Sequence, residues 1–83
     1  MNLKEDLLRA AGYFYNFDRL AYVNTAAKKV FAVEAIEDHP EEWLKRKLAE
    51  PNTTGEWRFY DEPPVGVRRA FVAELEDARQ THR

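Results

Sequence analysis

Leucine residues near the start of the chain recur every three or four positions, which is the spacing of one face of a helix. They run from Leu3 to Leu8. Asn2 and Glu5 have the spacing of a capping box, in which two side chains accept hydrogen bonds from the free backbone N–H groups at a helix start. The pattern predicts a first helix over residues 3–11.

Two further segments have helical spacing. Asp38 and Glu41 again have the spacing of a capping box, and Pro40 between them suits a first helical turn, where its missing N–H is not needed. A helix over residues 40–49 is therefore predicted. Apolar residues recur at the same spacing over residues 65–80, which predicts the last helix.

Between the first two helices the chain is rich in aromatic and β-branched residues, which favour strands. The pattern predicts a short strand over residues 13–15 and a hairpin whose strands are residues 19–23 and 29–33. The competing interpretation is a helix over residues 25–33, because alanine and lysine there favour helix. We prefer the hairpin because residues 30–33 offer no polar face to water.

Residues 56–60 alternate between the two sides of a strand, with Trp57 and Phe59 on the same side. This pattern predicts a last strand before the final helix. The elements follow the order α-β-β-β-α-β-α, in a single small domain over residues 1–83. Clustered strands with helices before and after them indicate an α+β fold, with a small antiparallel sheet packed against three helices. The sheet has three strands or four, depending on whether residues 13–15 form one.

The alternation assigns residues to the two faces of this sheet. The face toward the helices is predicted to carry Phe31, Val33, Trp57 and Phe59. The opposite face is predicted to carry Val30, Ala32, Ala21, Val23, Arg58 and Tyr60. That second face is too apolar to lie bare in water, so we expect one of the helices or another chain to cover it.

The composition indicates a folded chain. Of 83 residues, 45% are hydrophobic, and two Trp, four Tyr and five Phe are far more aromatic side chains than a disordered chain carries. There is no cysteine, so a disulfide framework and a thiol nucleophile are excluded. No apolar run approaches the ~20 residues of a membrane span, and the start of the chain is charged rather than signal-like. We therefore expect a soluble cytoplasmic protein.

Candidate catalytic and metal-binding groups are few. The sequence has no serine, and its three glycines form no phosphate-binding loop. His39 stands next to a predicted helix start without a second histidine at helical spacing, and His82 lies near the end of the chain. Thr53 and Thr54 have no neighbouring base that would activate them. We therefore expect that the protein is not an enzyme and that it has neither a cofactor nor a metal site.

The second sheet face suggests a function in binding. Arginine and tyrosine beside small apolar residues are typical of the centres of protein interfaces. We therefore expect a small non-enzymatic protein-interaction module, which either binds another protein or forms a homodimer. The predicted interface consists of Arg19, Ala21, Val23, Arg58 and Tyr60.

The alternative is a weak nucleic-acid-binding domain, in which aromatic side chains stack on bases and lysines at a hairpin tip meet phosphates. The residues that would make these contacts are Tyr13, Tyr15, Arg19, Lys28 and Lys29. Thirteen basic residues against fifteen acidic ones give a net charge of −2, evenly spread along the chain. Because phosphate binding normally needs a basic excess, we favour the protein-interaction hypothesis.

Overall fold

A computed structural model describes residues 3–81, with side chains through Ala78, as four helices and four strands. The helices are α1 (Leu3–Ala10), α2 (Val33–Asp38), α3 (Glu41–Ala49) and α4 (Val65–Thr81). The strands are β1 (Phe14–Asn16), β2 (Ala21–Asn24), β3 (Lys29–Ala32) and β4 (Arg58–Tyr60). The α+β class and the predicted order of elements are confirmed, with one additional helix, α2. Asn2 and His82 lie outside the described residues.

The four strands form one sheet in the order β1-β2-β3-β4. The pairs β1–β2 and β2–β3 are antiparallel, as predicted, and the short first strand is present. β4 lies parallel to β3, with Val30 beside Phe59 and Phe31 beside Tyr60. The sheet is therefore mixed rather than purely antiparallel. The chain between β3 and β4 passes through α2 and α3, a crossover long enough to bring it back in the same direction.

The hairpin from β2 to β3 confirms the preferred interpretation of this segment, and the competing helix over residues 25–33 is wrong. Asn24 begins the turn, because its side-chain Oδ1 accepts the Ala27 backbone N–H at 3.0 Å. Lys28 then adopts a positive φ of 55°, which a right-handed helix does not allow. The chain therefore reverses at Lys28 and enters β3.

Two helix starts differ from the prediction. α2 begins at Val33, the last residue of the predicted hairpin strand, and the Val33 N–H donates to the Leu20 carbonyl at 3.0 Å. α3 begins after Pro40, whose carbonyl accepts the Trp43 N–H at 3.0 Å, and no side chain caps this end. Asp38 does not cap α3, because it is the last residue of α2.

Helices cover both faces of the sheet, and a hydrophobic cluster fills the space on each. Under α4 the buried cluster consists of Ala21, Val23, Val30, Trp57, Phe59, Phe71 and Leu75. Under α1, α2 and α3 it consists of Leu8, Tyr13, Phe31, Ile36, Leu44 and Tyr60. Trp57 and Phe59 share a face as predicted, but Phe31 lies on the opposite face and Val30 joins them. The parallel pairing of β3 with β4 determines which residues of the two strands share a face. Alternation within a single strand does not determine it.

Gly12 ends α1 and turns the chain into the sheet. It has a φ of 93°, a conformation open to glycine and strained for other residues. The Tyr13 N–H donates back to the Leu8 carbonyl at 3.0 Å, which is the bond of a Schellman motif at a helix end. The turn brings Tyr13 into the same hydrophobic cluster as Leu8 and delivers the chain to β1.

Candidate protein-interaction surface

Large apolar side chains are exposed along the outer edge of β1. Phe14 is 75% exposed, and Phe17 and Leu20, in the turn that follows, are 80% and 61% exposed. No strand in the described part of the chain pairs with this edge, since β1 is the first strand of the sheet. Together with Tyr15, which lies between them, these residues form what we call the β1 edge surface.

The turn after β1 holds Phe17 and Leu20 out of the core. The Asn16 side-chain Oδ1 accepts the Arg19 backbone N–H at 3.0 Å, which holds the turn closed. Leu20 has a φ of 51°, which L-residues rarely adopt, and its carbonyl is fixed by the N–H at the start of α2. Backbone hydrogen bonds, rather than burial of apolar side chains, therefore shape this segment.

Aromatic side chains lie on both faces of the sheet at this edge. Phe14 is paired with Val23, which faces α4, whereas Tyr15 is paired with Tyr22 on the opposite face. Phe17 packs edge-on against Tyr15, with 4.6 Å between ring centroids, and the Tyr15 and Tyr22 centroids are 5.0 Å apart. A strand added at this edge would therefore have an aromatic neighbour on either side.

A groove begins at Tyr15 and runs along α2. Its first part, with a volume of about 160 Å³, lies between α1 and α2 and is lined by Tyr15, Ile36 and Glu37 among others. Its second part, with a volume of about 380 Å³, is lined by Leu20, Glu34 and Glu37 among others. Val33 and Glu37 line both parts, which therefore adjoin, and we call them together the acidic groove.

Two carboxylates of the acidic groove form no ion pair among the side chains that the structure describes. Glu34 and Glu37 are exposed, and neither forms an ion pair with a side chain of residues 3–78. On the α1 side of the groove, Glu5 pairs with Arg9 at 2.5 Å. Arg19 also lines the groove, but its guanidinium is paired with a carboxylate of α4. The groove therefore presents net negative charge.

The five residues predicted as an interface do not come together on one surface. Ala21 and Val23 are buried beneath α4, and Tyr60 is buried on the opposite face. Arg19 forms its ion pair with α4, and Arg58 lies on β4, at the other edge of the sheet. Of these five residues, the two arginines alone reach the surface, and they do so at opposite edges.

The sequence patterns do not predict Phe14, Phe17 and Leu20 as contact residues, although a signal for Phe17 is present. It stands between Asn16 and Asp18, two residues typical of turns. A large apolar residue in such a turn does not belong to a strand, so the alternation of buried and exposed positions along a strand does not bury it. No local pattern marks Phe14, because its exposure depends on which strand lies at the edge of the sheet.

The residues of the nucleic-acid alternative lie in separate surroundings rather than on one face. Tyr13 is buried against Phe31, with 5.4 Å between ring centroids. Lys28 Nζ donates to the Gly55 carbonyl at 3.1 Å, which ties it to the loop before β4. Tyr15 is half-buried and belongs to the β1 edge surface. Arg19 is held by its ion pair, and Lys29 lies inside the fold.

Lys29 caps the end of α3 from within the fold. It is 2% exposed, and its Nζ donates to the carbonyls of Lys47 at 2.7 Å and Glu50 at 2.6 Å, where the helix dipole is negative. Burial lowers the pKa of the Lys29 ammonium, while the charge of Glu50 opposes that shift. Lys4 acts in the same way at the end of α2, donating to the His39 carbonyl at 2.5 Å. Both lysines therefore hold helix ends in place.

Burial also acts on the Tyr13 phenol. It raises the pKa of Tyr13 above its usual 10.0, and the neighbouring Tyr60 adds to the shift. The phenol therefore stays protonated in the folded state at a pH at which it ionises in the unfolded state. The contribution of the Tyr13 phenol to the free energy of unfolding is therefore complete below about pH 10 and is lost as the pH rises beyond that value.

We therefore expect Tyr13→Phe to reduce the alkaline loss of stability. Urea unfolding at about pH 8 and about pH 11 should show a smaller fall in the free energy of unfolding for the variant than for the wild type. Lys29, whose lowered pKa acts in the opposite direction, is present in both proteins and cancels in the comparison. Tyr15→Phe, which removes a phenol from the exposed edge instead, is the matched control. Equal alkaline losses in Tyr13→Phe and wild type would refute the burial of this phenol.

His39 has structural partners. Its Nδ1 lies 2.8 Å from the Ala35 carbonyl oxygen, and its ring stacks on Trp43 with 3.9 Å between centroids. Within the residues that the structure describes, no three His, Cys, Asp or Glu side chains come together as a metal site requires. None of the helices in that part of the chain has the length and apolar character needed to cross a membrane.

Comparison of the chain with protein-family models, with curated proteins and with solved structures finds no match. No relative therefore supplies a function, a partner or a set of site residues. The β1 edge surface and the acidic groove rest on the geometry of this chain alone.

Proposed function

We propose that this protein is a small non-enzymatic protein-interaction module and that the β1 edge surface is its contact site. One observation carries the proposal: Phe14, Phe17 and Leu20, within seven residues, are all largely exposed at an unpaired strand edge. Their exposure does not arise because a face of the sheet lacks a helix, since helices pack on both faces. Clustered exposed apolar side chains typically mark an interaction site.

Pairing at the strand edge is the mode of binding that this geometry favours. An extended segment of a partner can add to β1 by main-chain hydrogen bonds, with its side chains beside Phe14 on one face and Tyr15 on the other. Exposed edges are normally protected by lysine, proline or inward-pointing charges, and β1, with the sequence Phe-Tyr-Asn, has none of these. The other edge strand, β4, carries the exposed Arg58 and buries its two aromatic residues. β1 is therefore the better candidate of the two edges.

Phe17→Ser tests the proposal at the most exposed position. We expect it to weaken the retention of a partner about tenfold or more, because aromatic side chains dominate interface energies. Its free energy of unfolding should change by less than about 1 kcal/mol, since Phe17 is 80% exposed in the single chain. The measurement is affinity purification of the tagged protein from native lysate, with and without nuclease, quantified by mass spectrometry.

Val65→Ser is the matched control, since Val65 is 67% exposed but lies on α4 rather than at β1. It should retain every partner that the wild type retains. Loss of a partner from both variants, or from neither, would refute the proposed contact site. Partners that disappear with nuclease would support the nucleic-acid alternative instead. Retention of the protein's own chain alone, lost in Phe17→Ser, would make the module a homodimer.

As part of the same proposal, the protein acts in the cytoplasm. Two hydrophobic clusters hold the fold without the disulfides on which small secreted domains commonly depend. Fractionation of cells that produce the full chain should recover it with cytoplasmic marker proteins. Recovery with the secreted fraction would refute this part of the proposal.

A further inference from the structure

We infer that the partner of the β1 edge surface is an extended segment of a different protein in which apolar residues alternate with lysine or arginine. This inference rests on the proposed function and adds the chemistry of the partner. Tyr15 belongs both to β1 and to the acidic groove, so a strand added to β1 runs beside the groove. A strand presents alternate side chains to each face, and every second one would point to the side of the groove.

The groove offers negative charge to those side chains. Glu34 and Glu37 are exposed on α2, and among the described residues neither is held in an ion pair. Leu20 and Val33 line the same part of the groove, so that it also has apolar walls. A lysine or arginine fits such a groove, because its aliphatic stem packs on apolar surface while its charge reaches a carboxylate.

The cations that the structure describes around the groove are already engaged. Arg19 is paired with a carboxylate of α4, and Arg9 with one of its own helix. The Lys4 ammonium donates to two carbonyls at the end of α2. The two glutamates of α2 are therefore left for cations that a partner supplies, and complementary charge would also select the partner.

A second copy of this chain is a poorer occupant. In a two-fold dimer paired at β1, residues 14–20 would meet their own equivalents, and Arg19, the single basic residue among them, is already paired with α4. Asp18 lies in the same segment, and each chain carries a net charge of −2. Pairing of two identical edges therefore brings no free cation to Glu34 or Glu37.

Selection from a random peptide library displayed on phage tests the inference, with peptides of about ten residues, enough for one strand. The target is the full chain. We expect enriched peptides in which lysine and arginine outnumber aspartate and glutamate and alternate with apolar residues. Enrichment of acidic or uncharged peptides, or of none, would overturn the inference.

The affinity of the best selected peptide is then measured by fluorescence anisotropy. Glu34→Gln combined with Glu37→Gln should weaken it about fivefold, the size expected for the loss of two partly exposed ion pairs. Glu42→Gln combined with Glu56→Gln changes the net charge equally, and neither residue lines the groove. This control should change the affinity by less than about twofold.

Phe17→Ser separates the inference from the proposed function. If it abolishes peptide binding while the groove variant binds normally, the contact site stands and the basic partner is wrong. If peptides bind equally well to Phe17→Ser, the contact site and the inference both fail. A dimer in sedimentation velocity that Phe17→Ser disrupts would identify a second copy as the occupant and would also overturn the inference.

Discussion

Replacing Phe31 by alanine is expected to lower the free energy of unfolding by about 3–5 kcal/mol. The Phe31 ring is fully buried and stacks on Tyr60, with 4.4 Å between centroids. Tyr13 and Trp43 pack edge-on toward it, at 5.4 Å and 6.2 Å. Alanine leaves a cavity where three rings converge, and the surroundings of such a cavity relax only in part to fill it. For a chain of this size, with a total stability of about 4–12 kcal/mol, the loss is a large fraction of the whole.

Chemical denaturation followed by circular dichroism measures this effect. If Phe31→Ala is too unstable to study, Phe31→Leu, with an expected loss of about 1–2 kcal/mol, provides the test. Phe14→Ala is the matched control, because it removes the same side chain from an exposed strand position and should cost less than about 0.5 kcal/mol. Equal losses in the two alanine variants would refute the central position of Phe31 in the core.

On the other face of the sheet, Trp57→Ala is expected to cost about 3–5 kcal/mol. Trp57 is 5% exposed beneath α4, and its Nε1–H donates to the Glu76 carboxylate at 2.7 Å. Its backbone carbonyl accepts a bond from Arg68 Nη2 at 3.0 Å. The indole therefore both fills the core and bonds α4 through Glu76; alanine removes these two contributions and keeps the backbone bond to Arg68.

Trp57→Phe divides this effect into its two parts. Phenylalanine keeps most of the apolar volume but has no N–H donor, so the expected loss is about 1–2 kcal/mol. Trp43 remains in both variants as a fluorescent probe of unfolding. A loss below about 1 kcal/mol in Trp57→Ala would show that Trp57 does not lie in the core.

Local sequence patterns predict most of this fold. Leucine spacing predicts α1, and the apolar positions around Leu44 predict α3, each within a residue of its observed bounds. The alternation at Trp57 and Phe59 places both on one face. In each case the pattern and the structure it forms lie within one element, so periodicity is sufficient.

Features that depend on distant parts of the chain are not predicted in this way. α2 has six residues, follows β3 directly and starts without a capping side chain, so no start signal precedes it. The crossover through α2 and α3 sets the position of β4, and with it the placing of Phe31 and Trp57 on opposite faces. The exposure of Phe14 likewise follows from strand order, which is why the β1 edge surface is absent from the predicted contact residues.

Lys29 shows the same limit for a charged residue. A lysine beside a predicted turn indicates a solvated hairpin tip, whereas the structure buries it. Its ammonium is stabilised by carbonyls of Lys47 and Glu50, which lie far from it in the sequence at the end of another helix. The partners that make burial of a charge tolerable are therefore visible only in the folded chain.

Amide hydrogen exchange shows most directly whether the β1 edge surface binds the partner. It would be measured on the full chain, with and without the partner that the wild type captures and Phe17→Ser does not. We predict slower exchange in the complex at residues 14–20 and at residues 33–37 beside them, with no change at residues 65–68. Unchanged exchange over residues 14–20, with protection elsewhere on the surface, would show that the partner binds at another site.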